Sequence, residues 1–207
     1  MVTRILSALV VGSSLPFLSF TVVAQQVSDS QEKVIPELLK SFVPVTDEML
    51  LRPTPENWIS FRNGYNLWGY SSLDQISAHN ASELRLVWSR AMQHGYQEVE
   101  PIVYNGVMFL SNVQDIVQAL DATTGDLLWE YRRALPENVA TITGTRYRYR
   151  NVSIYDDKVF LATNDAFLVA LDVQTGGVIW EVQRADYLET GVAQTNGPLV
   201  VDGKLLT

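Results

Sequence analysis

Short apolar segments separated by turn residues fill the chain from residue 103 onward. Residues 103–110 read as a strand, a tight turn at Asn105-Gly106 and a second strand. Residues 116–120 and 126–131 are two further apolar segments, and the stretch 121–125 between them begins with Asp and ends with Gly, as a turn requires. The pattern predicts four short antiparallel strands.

The same pattern recurs 51 residues later. Residues 119–129 and 170–180 both read A-x-D-x-x-T-G-x-x-x-W, and 11 of the 31 positions in 103–133 are identical to their counterparts in 154–184. A repeated unit of four strands in about 40–50 residues is typical of a β-propeller, in which each unit is one blade. We therefore predict an all-β propeller of four-stranded blades.

The tryptophan that ends each repeat, Trp129 or Trp180, is predicted to be a packing residue. A flat indole can lie between neighbouring blades over Ala or Gly, with its N–H bonded to backbone. The repeated motif therefore indicates a fold and not, by itself, an enzyme.

Two further segments match parts of the same four-strand repeat. Residues 84–89 look like another closing strand with its own tryptophan, and residues 198–206 repeat the hairpin of 101–109. Residues 57–207 are therefore predicted to form about three blades of a partial propeller, truncated at its C-terminus, since closed propellers have about 4–8 blades.

The N-terminus reads as a targeting segment followed by a leader. Residues 1–24 carry one positive side chain, then an uncharged apolar run that ends in small residues, which predicts a cleaved signal peptide and a periplasmic or secreted protein. The alternative is an uncleaved membrane anchor. After cleavage no membrane span is expected. Residues 25–56 are polar and interrupted by Pro, with a short helix predicted at 45–51.

Composition and net charge exclude several kinds of function. With 47% hydrophobic and 18% charged residues, the chain is predicted to fold rather than remain disordered. A net charge of −8 disfavours nucleic acid as a partner. The absence of Cys excludes disulfides, zinc thiolates and thiol nucleophiles, and the two His residues have no metal-ligand spacing.

The block at residues 57–76, NWISFRNGYNLWGYSSLDQI, resembles the opening of the pyrroloquinoline quinone (PQQ) dependent alcohol dehydrogenases of the methanol and ethanol dehydrogenase type. The tryptophan repeat is similar to that family's docking motif. The resemblance covers roughly residues 45–207. It implies an eight-bladed propeller with PQQ and a Ca²⁺ or lanthanide ion on its axis, a small alcohol as substrate and cytochrome c as electron acceptor.

The resemblance assigns three cofactor-binding residues. Glu98 precedes the first hairpin's Pro by three residues and would contact PQQ; the alternative is a solvated loop acid, because Glu100 lies beside it. Arg150 would stabilise negative charge on the reduced quinone. The alternative is that it is one more exposed charge on a strand in which Arg and Tyr alternate, residues 146–150. Thr195 would hydrogen-bond PQQ, or else is an ordinary turn residue.

The chain also departs from the family pattern. Gly144-Thr145 stand about where the methanol dehydrogenase branch has two adjacent, bridged cysteines. The family's metal-binding Glu and Asn, and its catalytic Asp, would follow Thr207. No catalytic residue and no metal ligand is therefore assigned.

Three interpretations follow. The chain is the N-terminal part of an exported PQQ-dependent alcohol dehydrogenase, inactive as this fragment; or it is a non-catalytic propeller that acts as a periplasmic or outer-membrane assembly scaffold. The scaffold lipoproteins of that type need a Cys after the signal, which this sequence lacks. The third is a truncated reading frame.

Overall fold

A computed structural model describes residues 34–145, 151–193 and 196–207, and the described part consists mainly of antiparallel sheet. The predicted signal peptide therefore lies outside the described residues. Four helices of four or five residues connect or precede the strands: α1 (Glu37–Lys40), α2 (Asp47–Leu51), α3 (Val139–Thr143) and α4 (Tyr187–Thr190). Short 3₁₀ turns lie at Phe61–Asn63 and Ala81–Glu83.

Ten strands form the sheets of the described residues. The first blade contains β1 (Ile102–Tyr104), β2 (Val107–Asn112), β3 (Ile116–Asp121) and β4 (Leu127–Arg132), paired in that order. The second contains β5 (Ser153–Tyr155), β6 (Lys158–Ala162), β7 (Phe167–Asp172) and β8 (Val178–Gln183). A separate hairpin joins β9 (Leu199–Val201) to β10 (Lys204–Leu206).

The repeated units have the same backbone conformation, including the same irregular positions. The first hairpin of each unit has a turn residue at positive φ: Asn105, Asp156 and Asp202 respectively. The pairing register shifts between Ala119 and Leu120 in the first blade, and at the equivalent point 51 residues later in the second. The predicted propeller blades are thus confirmed.

The predicted tryptophan packing is present at Trp129, whereas the Trp180 indole is only half-buried and donates no hydrogen bond to another described residue. The Trp129 indole N–H donates to the Val173 carbonyl at 2.8 Å, and its ring lies so close to Gly176 that a Cβ there would be 2.5 Å from a ring carbon. Trp88 repeats the contact one blade earlier, on the Ala122 carbonyl at 3.1 Å. Trp88 and Trp129 therefore each join one unit to the next.

Residues 84–89 do not form the predicted closing strand. Trp88 docks as expected, but the segment has no regular pairing, and Leu86 and Val87 are more than four-fifths exposed. A strand needs a hydrogen-bonded neighbour. Among the described residues, none lies beside this segment.

A buried ion pair also joins the two blades. The Arg133 guanidinium contacts both carboxylate oxygens of Asp165 at 2.8 and 2.9 Å, contacts Glu181 at 2.9 Å and lies over the Phe167 ring. Burial lowers the pKa of Arg133, but the hydrogen bonds that Arg133 donates to Asp165 and Glu181 outweigh this effect, so the pKa is raised and the side chain stays charged. Asp115 adds a parallel link, since it accepts from the Asn164 backbone N–H at 2.9 Å.

The segment that precedes the blades packs on them. Leu39, Val45 and Leu50 are buried in the same core as the strands, and Val45 exchanges two backbone hydrogen bonds with Asp156. Asp47 accepts hydrogen bonds from the Tyr155 hydroxyl and from a hairpin amide of the third unit. Within the described residues, no helix is long and apolar enough to span a membrane.

Candidate functional site

A cavity of about 540 Å³ lies at the starts of β5 and β9, and Glu98, from the segment before β1, also lines it. One side is formed by residues 151–154 and 196–200, at the starts of β5 and β9, and the other by Leu50 and the loop of residues 59–67. The lining is mainly apolar: Leu50, Ile59, Phe61, Tyr65, Leu67, Val152, Ile154, Pro198, Leu199 and Val200. Its polar members are Ser60, Glu98, Asn151, Ser153 and Asn196, and Gly197, just before β9, also lines it.

The loop that forms one wall, residues 58–67, is attached to the edge of β1. Trp58 and Val103 exchange two backbone hydrogen bonds of 2.7 and 2.8 Å, so the loop starts as a short extension of the sheet. It then turns sharply, because Arg62 and Asn63 both have left-handed φ near +50°. The Ser60 hydroxyl accepts from the Gly64 amide at 2.8 Å and closes the turn. This turn is what directs Phe61, Tyr65 and Leu67 to the cavity.

Glu100 connects this loop to two blades. Its Oε1 atom accepts from the Trp58 indole N–H at 2.8 Å and from the Arg62 backbone N–H at 2.6 Å. Its own backbone N–H donates to the Asn151 side-chain oxygen at 3.0 Å. Sequence reasoning treated Glu100 only as a charged neighbour of Glu98, and missed this role. The signal available was Trp58, whose indole needs an acceptor when partly buried.

The opposite wall depends on close approach between β5 and β9. The Ser153 hydroxyl donates to the Pro198 carbonyl. A Cβ at Gly197 would lie 2.5 Å from the Asn151 carbonyl oxygen, so any larger residue would push the two strands apart. Glycine at 197 is therefore required by contact.

Tyr65 ties the loop to the third unit. Its hydroxyl donates to the Val200 carbonyl at 2.7 Å. Desolvation by burial, helped by the nearby Asp47 carboxylate, raises the pKa of Tyr65. The residue therefore stays a neutral donor at ordinary pH.

Of the three residues predicted to bind cofactor, the structure places one. Glu98 lines the cavity and its side chain is exposed. Arg150 and Thr195 lie outside the described residues, although the residues that follow them, Asn151 and Asn196, both line the cavity. Gly144 ends α3 with a left-handed φ and is not among the cavity residues.

The described lining fits part of PQQ. Apolar side chains on two sides suit a flat aromatic ring system, and Ser and Asn side chains suit its carbonyl groups. The cofactor's carboxylates need cationic donors, for which Arg150 is the candidate. Across the described ranges, no group of three or more His, Asp or Glu side chains could hold a metal ion.

Comparison with known proteins agrees with this geometry. Residues 58–205 match the family model described as "PQQ: Glucose/ethanol/alcohol dehydrogenase, beta-propeller domain". The match begins at the tryptophan that Glu100 binds and ends within β10.

Individual relatives point the same way. The chain is 36% identical over 169 residues to the quinoprotein alcohol dehydrogenase PedH of Pseudomonas putida, covering 79% of this chain and 28% of PedH. It is 35% identical to the 1-butanol dehydrogenase (cytochrome c) of Thauera butanivorans, over 70% of this chain and 21% of that protein. A europium-containing methanol dehydrogenase superposes with a TM-score of 0.72 at 29% identity, over 77% of this chain and 28% of that one. The chain thus spans less than a third of the length of these relatives.

Proposed function

Because this chain belongs to the PQQ family of glucose, ethanol and alcohol dehydrogenase β-propeller domains, we propose that it supplies the N-terminal part of a PQQ-dependent alcohol dehydrogenase. In this proposal residues 57–207 are the first part of the propeller, and the cavity at the starts of β5 and β9 is one side of the cofactor site. The observation that carries the proposal is that cavity itself. It combines the loop of the family's opening block with Glu98, which precedes β1, and with the first strands β5 and β9 of the next two units.

Three side chains would hold the cofactor. Glu98 reaches the cavity from the segment before β1, and Arg150 and Thr195 stand in the sequence directly before the two segments that form the opposite wall. Arg150 would offset negative charge, and Thr195 would supply a neutral hydrogen bond. PQQ, when bound, supplies the two-electron oxidation of the alcohol.

The protein groups create the environment for that chemistry. The apolar wall excludes water from one face of the ligand, which strengthens the hydrogen bonds made inside the cavity. The described residues do not form a metal site. A Ca²⁺ or lanthanide ion, as the europium-containing relative suggests, would need ligands from outside the described residues.

The relatives and the N-terminus support a proposal for the physiological context. We propose export to the periplasm or exterior, directed by residues 1–24, a small alcohol as substrate and a cytochrome c as electron acceptor. The name of the Thauera butanivorans relative supports the last two. We expect no alcohol oxidation from the 207 residues alone, since no catalytic residue is assigned within them.

The first test is PQQ binding by the 207-residue chain, measured by quenching of its tryptophan fluorescence. We expect weak, saturable binding that Arg150→Met and Thr195→Val each reduce several-fold, whereas the exposed Glu137→Gln, outside the cavity, leaves it unchanged. Glu98→Gln should reduce it as well. No binding by the unaltered chain would overturn the proposal and favour the non-catalytic scaffold.

The second test is activity in the longer gene product that contains this chain. With PQQ and Ca²⁺ added, it should reduce an artificial dye in the presence of short alcohols and should carry PQQ absorbance. Absence of both would overturn the assignment as an alcohol dehydrogenase.

A further inference from the structure

Glu100 satisfies two donors with a single oxygen atom. The Trp58 indole N–H and the Arg62 backbone N–H both point at Oε1, at 2.8 and 2.6 Å. Hydrogen bonds to a carboxylate are stronger than those between neutral groups. The side chain is half-buried, so its loss would leave both donors in an environment with limited access to water.

The Arg62 contact stabilises a backbone conformation that is unfavourable on its own. Arg62 has φ of +54° and the residue after it +52°, and non-glycine residues rarely adopt this region. Because the chain reverses its direction at Arg62, the backbone N–H of Arg62 points towards Glu100 and not towards a strand or helix. The carboxylate therefore supports the sharp turn on which the position of Phe61 depends.

The backbone of Glu100 completes the connection. Its N–H donates to Asn151, the first cavity residue of the second unit, and its chain continues two residues later into β1. Glu98 lies two residues before it and reaches the cavity. One residue thus links the loop wall, the start of β1 and the opposite wall at Asn151.

We propose that Glu100 is a positioning residue of the cavity: through its bonds to Trp58 and Arg62 it fixes the loop wall at the distance that a flat cofactor requires. The role in cofactor binding rests on the proposed function. The role in fixing the loop is independent of the proposed function, and hydrogen exchange measures it without PQQ.

The experiment compares Glu100→Ala and Glu100→Gln in the 207-residue chain. Because both donors use one oxygen, the Gln amide oxygen can accept both bonds, whereas Ala can accept neither. Glu56→Ala is the matched control, since Glu56 is an exposed acid in the segment just before the same loop and does not line the cavity.

Two quantities are measured: hydrogen exchange of the peptide covering residues 58–67, and PQQ affinity by fluorescence quenching. In Glu100→Ala, exchange in this peptide should accelerate about tenfold or more, while peptides from β6 and β7 stay protected, and PQQ affinity should fall about tenfold. Glu100→Gln should stay within about threefold of the unaltered chain in both, and Glu56→Ala should match it.

The two measurements distinguish the role of Glu100 in fixing the loop from the proposed function in PQQ binding. Unchanged exchange in Glu100→Ala overturns the proposal, as does faster exchange with unchanged PQQ affinity, which would make Glu100 merely structural. If the unaltered chain does not bind PQQ, the proposed function fails, and selective loss of protection in residues 58–67 still supports the role of Glu100 in fixing the loop. Should Glu100→Ala fail to fold, Trp58→Phe removes one of the two donors. Intermediate exchange and affinity would then support the proposal, and unchanged values would overturn it.

Discussion

Replacement of Trp129 by Phe isolates the contribution of a single docking tryptophan to the joint between two blades. The variant keeps an aromatic ring in place, so the contact with Phe109, at a centroid distance of 6.0 Å, is largely retained. It removes the indole N–H that donates to the Val173 carbonyl and the part of the ring that covers Gly176.

The structure gives the expected size of the effect. Val173 is fully buried, so its carbonyl would lose its partner without gaining water, which costs about 1–3 kcal/mol. The smaller ring leaves a gap of roughly 40 Å³, which costs about 1 kcal/mol at ~24 cal/mol per Å³. We therefore expect Trp129→Phe to reduce the free energy of unfolding by about 2–4 kcal/mol.

The matched control is Trp180→Phe, at the equivalent position 51 residues later. Trp180 contacts Phe160 at 5.9 Å in nearly the same geometry, but it is only half-buried, and its indole N–H has no hydrogen-bond partner among the described residues. The control should cost about 0–1 kcal/mol.

Urea unfolding followed by circular dichroism measures both variants, with equal m-values required for the comparison. Equal losses of stability in Trp129→Phe and Trp180→Phe would refute the view that the joint depends on the bond to Val173 and the contact with Gly176.

Three further predictions concern stability. Gly176→Ala should cost roughly 2–4 kcal/mol, because its Cβ would lie 2.5 Å from the docked indole at a φ of +65°, whereas Gly106→Ala, at positive φ in open space, should cost only about 1–2 kcal/mol in urea unfolding. Arg133→Met should cost about 3–5 kcal/mol by leaving buried Asp165 unpaired, and adding Asp165→Leu should recover part of that loss; no recovery would contradict the ion-pair argument. Burial raises the pKa of Tyr131, so its contribution to stability is complete below about pH 10 and is lost as pH rises further; urea midpoints from pH 8 to 11 should fall less steeply in Tyr131→Phe than in the unaltered chain.

The fold was predictable because the repeat carries local information. Asn105-Gly106 specifies a hairpin turn, and the Asp-x-x-Thr-Gly turn specifies where the last strand begins, so both could be read from neighbouring residues. The prediction for residues 84–89 was wrong in secondary structure for the opposite reason. A strand at that position depends on a partner distant in sequence, and local pattern does not supply one.

The site was predictable only in part. Glu98 was found through resemblance, and it reaches the cavity. The role of Glu100 was missed because it depends on three contacts that join residues 38 to 51 positions apart. Gly197 was missed for the same reason, since its requirement arises from the approach of Asn151. Spacing along one segment cannot reveal such contacts.

Three tryptophans in the described part of the chain donate hydrogen bonds from their indole N–H, and they are of two kinds, which explains what each part of the sequence can indicate. Trp88 and Trp129 donate to backbone carbonyls, which every residue type possesses, so their partners leave no mark on the sequence and the motif is compatible with any propeller. Trp58 donates to a carboxylate that also holds the Arg62 amide, so it requires a particular side chain at position 100. The repeat therefore indicates the fold, whereas the pairing of Trp58 with Glu100 marks the wall of the cavity, and a search for that pair in other propellers should separate those that share this cavity from those that share only the blades.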